Sequence, residues 1–349
     1  MLAIVLALWA GTRAQGAAAG GGASRPDGPP ATLKKSEQIR GFSIQLFGST
    51  PAETEGYLKA VDDLANMGCS WVNFSIAARQ DNVHSESIKI VYPNIPSQPD
   101  IERILRKAKS RNMGVMLMPI VLLNNSGSKD WRGIIQPPSW DNWFASYTDY
   151  IVKMAHIAQT CDVDVFCVGS ELLSTETFRD KWLDVIAQIR TEFKGKLTYS
   201  ANWDHYDVVS FWDQLDYIGM NNYNELGDKD SSMQDLVNAW EPIKKKVLAF
   251  VSQKKKPFMF TEVGWHNLDN TIKEPWNYVA QGKVDLEQQA RAFESFVKTW
   301  AGVPNKEFMG AFVWEWRPGG KGTDHGSYTL QEVPALDVVR KWMKGESAP

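Results

Sequence analysis

The sequence predicts an α/β protein, a single-domain (β/α)8 TIM barrel, and three observations lead to this prediction. After a start rich in Gly, Ala and Pro, about 310 of the 349 residues remain, a length that suits one large barrel better than two ordinary domains. Along this stretch, short apolar or β-branched runs alternate with amphipathic helical patterns, which is typical of βα units around a parallel sheet. Eight such runs occur, and their apolar density indicates strands that are buried on both faces.

The elements can be placed along the chain one by one. The eight predicted strands are Gly41–Phe47, Trp71–Ala77, Gly114–Ile120, Val163–Val168, Leu197–Ala201, Tyr217–Met220, Pro257–Thr261 and Met309–Trp314. The predicted helices are Thr54–Met67, Pro99–Arg111, Asp141–Gln159, Thr177–Phe193, Met233–Gln253, Leu286–Trp300 and Pro334–Met343. Each helix has an apolar stripe at helical spacing, and Gly68 follows the first helix as a C-cap. The connection from Asn202 to Leu215 is too short for more than one or two helical turns.

The first part of the chain predicts export. Met1–Ala10 is apolar and long enough for the core of a signal peptide, but it is too short to span a bilayer. We therefore expect a signal peptide at 1–14, a disordered Gly/Ala/Pro-rich linker at 15–33 and a folded domain at 34–346. The mature protein is then secreted or periplasmic, without a membrane span.

Composition narrows the classes of partner. With 38 basic and 41 acidic residues the net charge is −3, so the overall field does not favour nucleic acid. The five His residues form no HxH or HExxH pattern, so we expect no metal and no cofactor. Cys69, Cys161 and Cys167 lack CxxC spacing and are interpreted as buried thiols, although a Cys161–Cys167 bridge stays possible in an exported protein. We expect a monomer.

Two glutamates follow buried strands on opposite sides of the predicted barrel. Glu171 comes directly after the fourth strand, and Glu262 comes directly after the seventh. Because functional residues of such barrels lie at the carboxyl ends of the strands, both carboxylates should enter one cavity. Cleavage of a glycosidic bond needs one acid to protonate the leaving oxygen and a second carboxylate to attack or to activate water. Either Glu alone could be a solvated polar residue, but the pair among aromatic residues favours a glycoside hydrolase.

Other strand ends carry residues that suit a sugar-binding cleft. Trp314 could form the floor under the sugar, or it could be a core aromatic residue. Tyr223 could hydrogen-bond the nucleophile, and Arg79 could hold a carboxylate in its charged form or pair with an acid on the rim. The other predicted substrate-binding residues are Asn202, Trp203, Asn222 and Trp265, since amides can bind hydroxyl groups and indoles can stack on pyranose rings.

Four segments of the chain resemble glycoside hydrolase family 113, the β-mannanases of the large clan of retaining (β/α)8 glycosidases. They are Phe166–Leu172, Leu197–Asp204, Phe211–Gly219 and Thr261–Trp265. The resemblance implies that Glu171 is the acid/base, that Glu262 is the nucleophile, and that the substrate is β-1,4-linked mannan or manno-oligosaccharide. It also implies a retaining mechanism, for which the two carboxyl groups should lie about 5–5.5 Å apart.

Two alternatives stay open from the sequence. The barrel could be a retaining hydrolase of another β-linked glycan, such as a β-glucan, or it could bind glycans without cleaving them. The presence of both glutamates argues against a protein that only binds. The loops around the cleft decide between internal and chain-end cleavage.

Overall fold

The protein is a closed barrel of eight parallel strands surrounded by helices, in a computed structural model that describes residues 38–127 and 129–346. The strands are β1 (Ile39–Leu46), β2 (Trp71–Gln80), β3 (Ile88–Lys89), β4 (Gly114–Leu123), β5 (Val165–Ser170), β6 (Lys196–Ala201), β7 (Ile218–Asn222), β8 (Phe258–Val263) and β9 (Phe308–Val313). Around the barrel the order is β1-β2-β4-β5-β6-β7-β8-β9, and β9 pairs with β1 to close it. The predicted fold is therefore confirmed.

The helices pack around the outside of the barrel. They are α1 (Pro51–Met67), α2 (Gln98–Ser110), α3 (Trp140–Thr160), α4 (Arg179–Glu192), α5 (Met233–Lys254), α6 (Leu286–Trp300) and α7 (Ala335–Met343). A capping box of Thr50 and Glu53 begins α1, and Gly68 ends it with a left-handed φ of 103°. The connection after β6 contains only one short 3-10 turn, at Trp212–Gln214, as its length predicted.

One short strand was not predicted. β3 has two residues and pairs antiparallel with the end of β2, outside the barrel. A segment of two residues is too short to show a hydrophobic period, so no sequence pattern could reveal it. The signal-peptide and linker predictions for 1–33 lie outside the described residues.

Two layers of apolar side chains make the core. The larger layer fills the space between the sheet and the helices, and a smaller layer fills the barrel with side chains such as Met116, Cys167, Met259 and Phe312. Cys69, Cys161 and Cys167 are free and buried, so the structure has no Cys161–Cys167 bridge. None of the described helices is long and apolar enough to cross a membrane.

Side-chain alternation along each strand decides what reaches the barrel mouth. On β2, Trp71 and Ala77 point into the barrel, so Arg79, two residues further on, also faces the interior side at the mouth. The polar residues at the strand ends continue the inner rows in the same way. The site is built from these positions and from the loops that follow them.

Candidate active site

Glu171 occupies a tight turn directly after β5. Its backbone is left-handed, with φ of 55°, a conformation that costs a non-glycine residue about 1–2 kcal/mol. Its N–H donates to the carbonyl oxygen of Ser200 on β6 at 2.9 Å, which ties the turn to the neighbouring strand. The side chain is fully buried, at 0% exposure. Strain of this kind persists where the surroundings fix a side chain in one direction.

Glu262 faces the same cavity because β8 bulges. On β7, Met220 pairs with Phe260 while the next residue, Asn221, pairs with Glu262, so β8 contains one extra residue at this point. Thr261 bonds to the Ser200 hydroxyl at 2.7 Å. Because of the bulge, the side chain of Glu262 also reaches the barrel mouth. There its Oε2 accepts a hydrogen bond of 2.9 Å from the Tyr223 hydroxyl.

Asn221 links the two glutamates. It is the register partner of Glu262 on the adjacent strand, and its Nδ2 donates to Oε1 of Glu171. The same amide donates to Asn202 Oδ1 at 2.9 Å, and its Oδ1 accepts the Trp203 N–H at 3.0 Å. Neighbouring strands are roughly 4.8 Å apart. The two carboxyl groups therefore lie near each other at the barrel mouth, close enough that, besides burial, the charge of Glu171 raises the pKa of Glu262.

Arg132 is a member of the site that the sequence analysis missed. It lies in the loop after β4, in a 3-10 turn at Arg132–Ile134, and its side chain is 5% exposed. Its Nη2 lies 2.5 Å from Glu171 Oε2, yet that oxygen accepts no aligned hydrogen bond. Arg132 lies nine residues after the end of β4 at Leu123, beyond the strand end where functional residues were expected. No local pattern marks it, because its role depends on how the loop folds back.

The electrostatics of the pair hold a proton in the cavity. Burial raises the pKa of both Glu171 and Glu262, and the charge of Glu171 raises the pKa of Glu262 further. Arg132 lowers both pKa values, Asn221 lowers that of Glu171, and Tyr223 lowers that of Glu262. Two like charges in one cavity disfavour each other, so the pair retains one proton to higher pH than two separate carboxyl groups would.

Aromatic side chains form the walls of the mouth. Trp203 stacks on Trp276 with ring centroids 5.7 Å apart, and its edge meets Tyr223 at 5.8 Å. Trp314 follows β9 and is partly exposed, as a floor under a sugar requires. Trp276 belongs to the long loop after β8 and was not among the predicted substrate-binding residues. The stacked indoles can bind the flat face of a sugar ring beside the carboxyl pair.

Two of the predicted substrate contacts are buried and turn away from the barrel interior. Trp265 is fully buried and packs edge-on against Phe293 at 4.9 Å, so its ring lies in the core between the barrel and α6. Asn222 is also fully buried. Strand alternation turns it to the same side as Met220, which packs in the outer core, whereas Asn221 turns inward. The amide that contacts Glu171 is therefore that of the preceding residue, Asn221.

Arg79 makes neither of the two contacts predicted for it. Its side chain has no hydrogen bond or ion pair with any described carboxylate, in the site or on the rim, and its buried Nε has no partner. Burial lowers the pKa of its guanidinium. The arginine that holds a carboxylate is Arg132, while Arg79 stays available at the mouth for a ligand.

The chain is similar to known proteins in sequence and in fold. The family model of Glycoside Hydrolase Family 113 matches residues 51–327. A solved complex of a family 113 β-1,4-mannanase is 25% identical, with a TM-score of 0.80, covering 88% of this chain and 99% of that one. The family 113 β-mannanase of Alicyclobacillus acidocaldarius in complex with ManMIm is 28% identical, with a TM-score of 0.78, covering 88% and 97%. No curated protein matches the sequence. With more than half of its length matched by the family model, the chain belongs to glycoside hydrolase family 113 and is a glycoside hydrolase.

Proposed function

We propose that the protein is a retaining β-mannanase that cleaves β-1,4-mannosidic bonds in mannan or manno-oligosaccharides. The observation that carries this proposal is the buried pair Glu171 and Glu262 at the mouth of the barrel, where Asn221 donates to Glu171 and lies opposite Glu262 on the neighbouring strand. Membership in family 113 and similarity to two solved β-mannanases support the choice of mannose over other sugars.

In the first step, Glu262 attacks the anomeric carbon. Oε2 of Glu262 accepts the hydrogen bond from Tyr223, which stabilises the ionised form. The carbon–oxygen bond to the leaving sugar breaks as the bond to Glu262 forms. Glu171 donates its proton to the leaving oxygen, so a covalent glycosyl-enzyme and a leaving sugar with a free hydroxyl group result.

In the second step, Glu171 acts as a base. It removes a proton from water, the water oxygen attacks the anomeric carbon, and the bond to Glu262 breaks. Two inversions give net retention of configuration. Oε2 of Glu171 is the oxygen without an aligned hydrogen bond, so it is the one able to exchange a proton with the substrate once Arg132 gives way to the sugar.

Binding of the substrate falls to the mouth residues. Trp314 provides a floor, the stacked pair of Trp203 and Trp276 provides a wall, and Asn202 and Arg79 supply polar contacts. The partner is thus a neutral β-linked glycan, and this chemistry requires no cofactor.

The test is hydrolysis of β-mannan, glucomannan, β-glucan and xylan, followed as release of reducing ends. Glu171→Gln and Glu262→Gln are compared with Glu225→Gln, a matched control at an exposed carboxylate just after β7. We expect wild type and the control to cut mannan, and both active-site variants to lose at least about 10²-fold in rate. Cleavage of β-glucan or xylan but not of mannan would overturn the proposed substrate. Binding of a glycan without cleavage of any would overturn the proposed enzymatic function.

We also propose that the protein acts outside the cytoplasm as a monomer. The apolar segment Met1–Ala10 supports export, and a polymeric substrate is found outside the cell. Expression of the full chain with N-terminal sequencing of the exported product tests this. A product that begins at Met1 and stays in the cytoplasm would contradict it, and sedimentation analysis gives the oligomeric state.

A further inference from the structure

A further buried carboxyl group, that of Glu176, lies behind Glu171, and the mechanism above does not use it. Glu176 follows the 3-10 turn Leu173–Thr175 and is fully buried. It lies against Tyr199 of β6, which is also fully buried and points away from the barrel interior into the aromatic core around Trp182. A buried carboxyl group is costly unless it is hydrogen-bonded, so its presence calls for a role.

The Tyr199 hydroxyl connects Glu176 to the turn of Glu171. It donates to Glu176 Oε1 at 2.8 Å and accepts the N–H of Leu172 at 2.9 Å. That N–H belongs to the peptide group that joins Glu171 to Leu172. Because the Tyr199 hydroxyl donates its hydrogen bond to Glu176, a lone pair of its oxygen is left to accept the Leu172 N–H.

Two consecutive residues of β6 thus hold both amides around Glu171. The Ser200 carbonyl accepts the Glu171 N–H at 2.9 Å, and the Tyr199 hydroxyl accepts the next N–H. Thr175 adds a third tie, because its N–H and its hydroxyl both donate to the Leu172 carbonyl, at 2.8 and 2.7 Å. The strained left-handed backbone of Glu171 is therefore fixed on both sides.

The charges around Glu176 come from a small set of groups. Besides burial, the negative charges of Glu171 and Asp204 raise the pKa of Glu176, and His205 Nε2 lies 3.8 Å from Glu176 Oε2. That oxygen has no hydrogen-bond partner, and the His205 side chain is 38% exposed. Burial raises the pKa of Glu176 to about 8, although its hydrogen bond with Tyr199 opposes the rise. A neutral Glu176 avoids placing a third negative charge behind the catalytic pair.

We propose that Glu176 and Tyr199 are positioning residues that aim the carboxyl group of Glu171 at the leaving-group oxygen by holding its backbone turn. The inference rests on the proposed function, because it assigns Glu171 as the acid. Neither side chain touches the substrate, so their effect passes through the peptide group between Glu171 and Leu172.

The test uses the dependence of the rate on the leaving group. A dinitrophenyl β-mannobioside needs no protonation to depart, whereas a phenyl β-mannobioside or a manno-oligosaccharide does. For each substrate kcat/KM is measured, because it reports the step that forms the glycosyl-enzyme. In Tyr199→Phe we expect kcat/KM to fall about 10- to 100-fold on the phenyl substrate, a part of the 10²–10⁴-fold supplied by a general acid, and to change less than about threefold on the dinitrophenyl substrate.

Variants of Glu176 give an independent test. Glu176→Gln keeps an oxygen that accepts the hydrogen bond from Tyr199, so its kcat/KM should equal that of wild type on both substrates. Glu176→Leu removes the acceptor and should repeat the leaving-group effect of Tyr199→Phe. The matched control is Tyr150→Phe, which removes a fully buried hydroxyl that bonds the carbonyls of Ile76 and Ile120, away from this turn. It should leave the ratio of the two rates unchanged.

The outcomes separate positioning from a general structural role. An equal fall on both substrates in Tyr199→Phe, or an unchanged ratio in Glu176→Leu, would overturn the proposal. If wild type cleaves neither mannobioside, the proposed substrate fails instead, and the same variants are compared on phenyl and dinitrophenyl glycosides of the glycan that wild type does cleave. Positioning still predicts the selective loss there.

Discussion

Replacing Arg132 by Met should move the pH dependence of activity upward. In the folded protein, the guanidinium of Arg132 lies 2.5 Å from Glu171 Oε2 in a buried site. It lowers the pKa of Glu171 and also that of Glu262. Removing the positive charge therefore raises both pKa values.

The size of the shift follows from the contact. Unit charges about 4 Å apart at an effective dielectric constant of about 20 interact by about 4 kcal/mol, or roughly 3 pKa units. An arginine next to a carboxylate typically accounts for about 1–3 units once solvent and neighbours are included. We expect a shift within that range.

The sign can be followed through the mechanism. The proposed acid must be protonated, so the alkaline limb of kcat/KM tracks Glu171, and a raised pKa keeps the enzyme active to higher pH. The proposed nucleophile must be ionised, so the acidic limb tracks Glu262 and also moves to higher pH. The two limbs report apparent values of the coupled pair.

The assay is a profile of kcat/KM against pH on one oligosaccharide, with Arg79→Met as the matched control. Arg79 is also an arginine of the barrel mouth, but it pairs with no described residue, so its removal should leave both limbs in place, whatever it does to KM. An alkaline limb that stays within about 0.3 unit of wild type in Arg132→Met, or moves to lower pH, would show that Arg132 does not lower the pKa of Glu171.

Three other sets of substitutions separate the roles of single side chains. Tyr223→Phe removes the donor to Glu262, raises the pKa of that carboxyl group, and should move the acidic limb to higher pH with a fall in kcat/KM of about tenfold, as measured by a pH profile. Trp203→Ala and Trp276→Ala should each raise KM for a long manno-oligosaccharide roughly fivefold through lost stacking, with little change in KM for a short aryl glycoside. The same fold-change in KM on both substrates would contradict a sugar-binding wall. Trp265→Ala should lower the free energy of unfolding in urea by about 3–5 kcal/mol and leave KM unchanged. A raised KM in the folded variant would instead indicate that Trp265 contacts the substrate.

The sequence predicts the barrel well because each strand carries its own local signal. An apolar run bounded by turn residues marks β4 or β8 without knowledge of its neighbours, and the predicted ends differ from the observed ones by up to three residues. β5 shows the limit. It was predicted to end at Val168 but continues to Ser170, because pairing of Ser170 with Ser200 on β6 extends it.

A site residue was predictable from the sequence only where its position at the end of a strand places it at the barrel mouth. Glu171, Glu262, Asn202 and Tyr223 lie at the barrel mouth as expected, since each follows or ends a buried strand. The direction of a side chain near an irregularity was not predictable. The bulge in β8 turns Glu262 inward, and the sequence contains no mark of it.

Contacts between distant segments were missed for a different reason. Arg132 and Trp276 reach the site from loops, and the Glu176–Tyr199 hydrogen bond joins residues 23 positions apart. Such contacts depend on how the loops fold over the finished barrel. Trp265 shows the opposite case. It was predicted to line the cleft because it follows a strand end, but its side chain turns into the core against α6.

The most direct test of the account is covalent trapping of the nucleophile. A 2-deoxy-2-fluoro-mannosyl fluoride forms the glycosyl-enzyme but slows its hydrolysis, so the intermediate accumulates for mass spectrometry of peptides. We predict one fluoromannosyl group on the peptide that contains Glu262, absent in Glu262→Gln and present in the Glu225→Gln control. An adduct on another residue, or hydrolysis of the fluoride with inverted configuration and no adduct, would contradict the account.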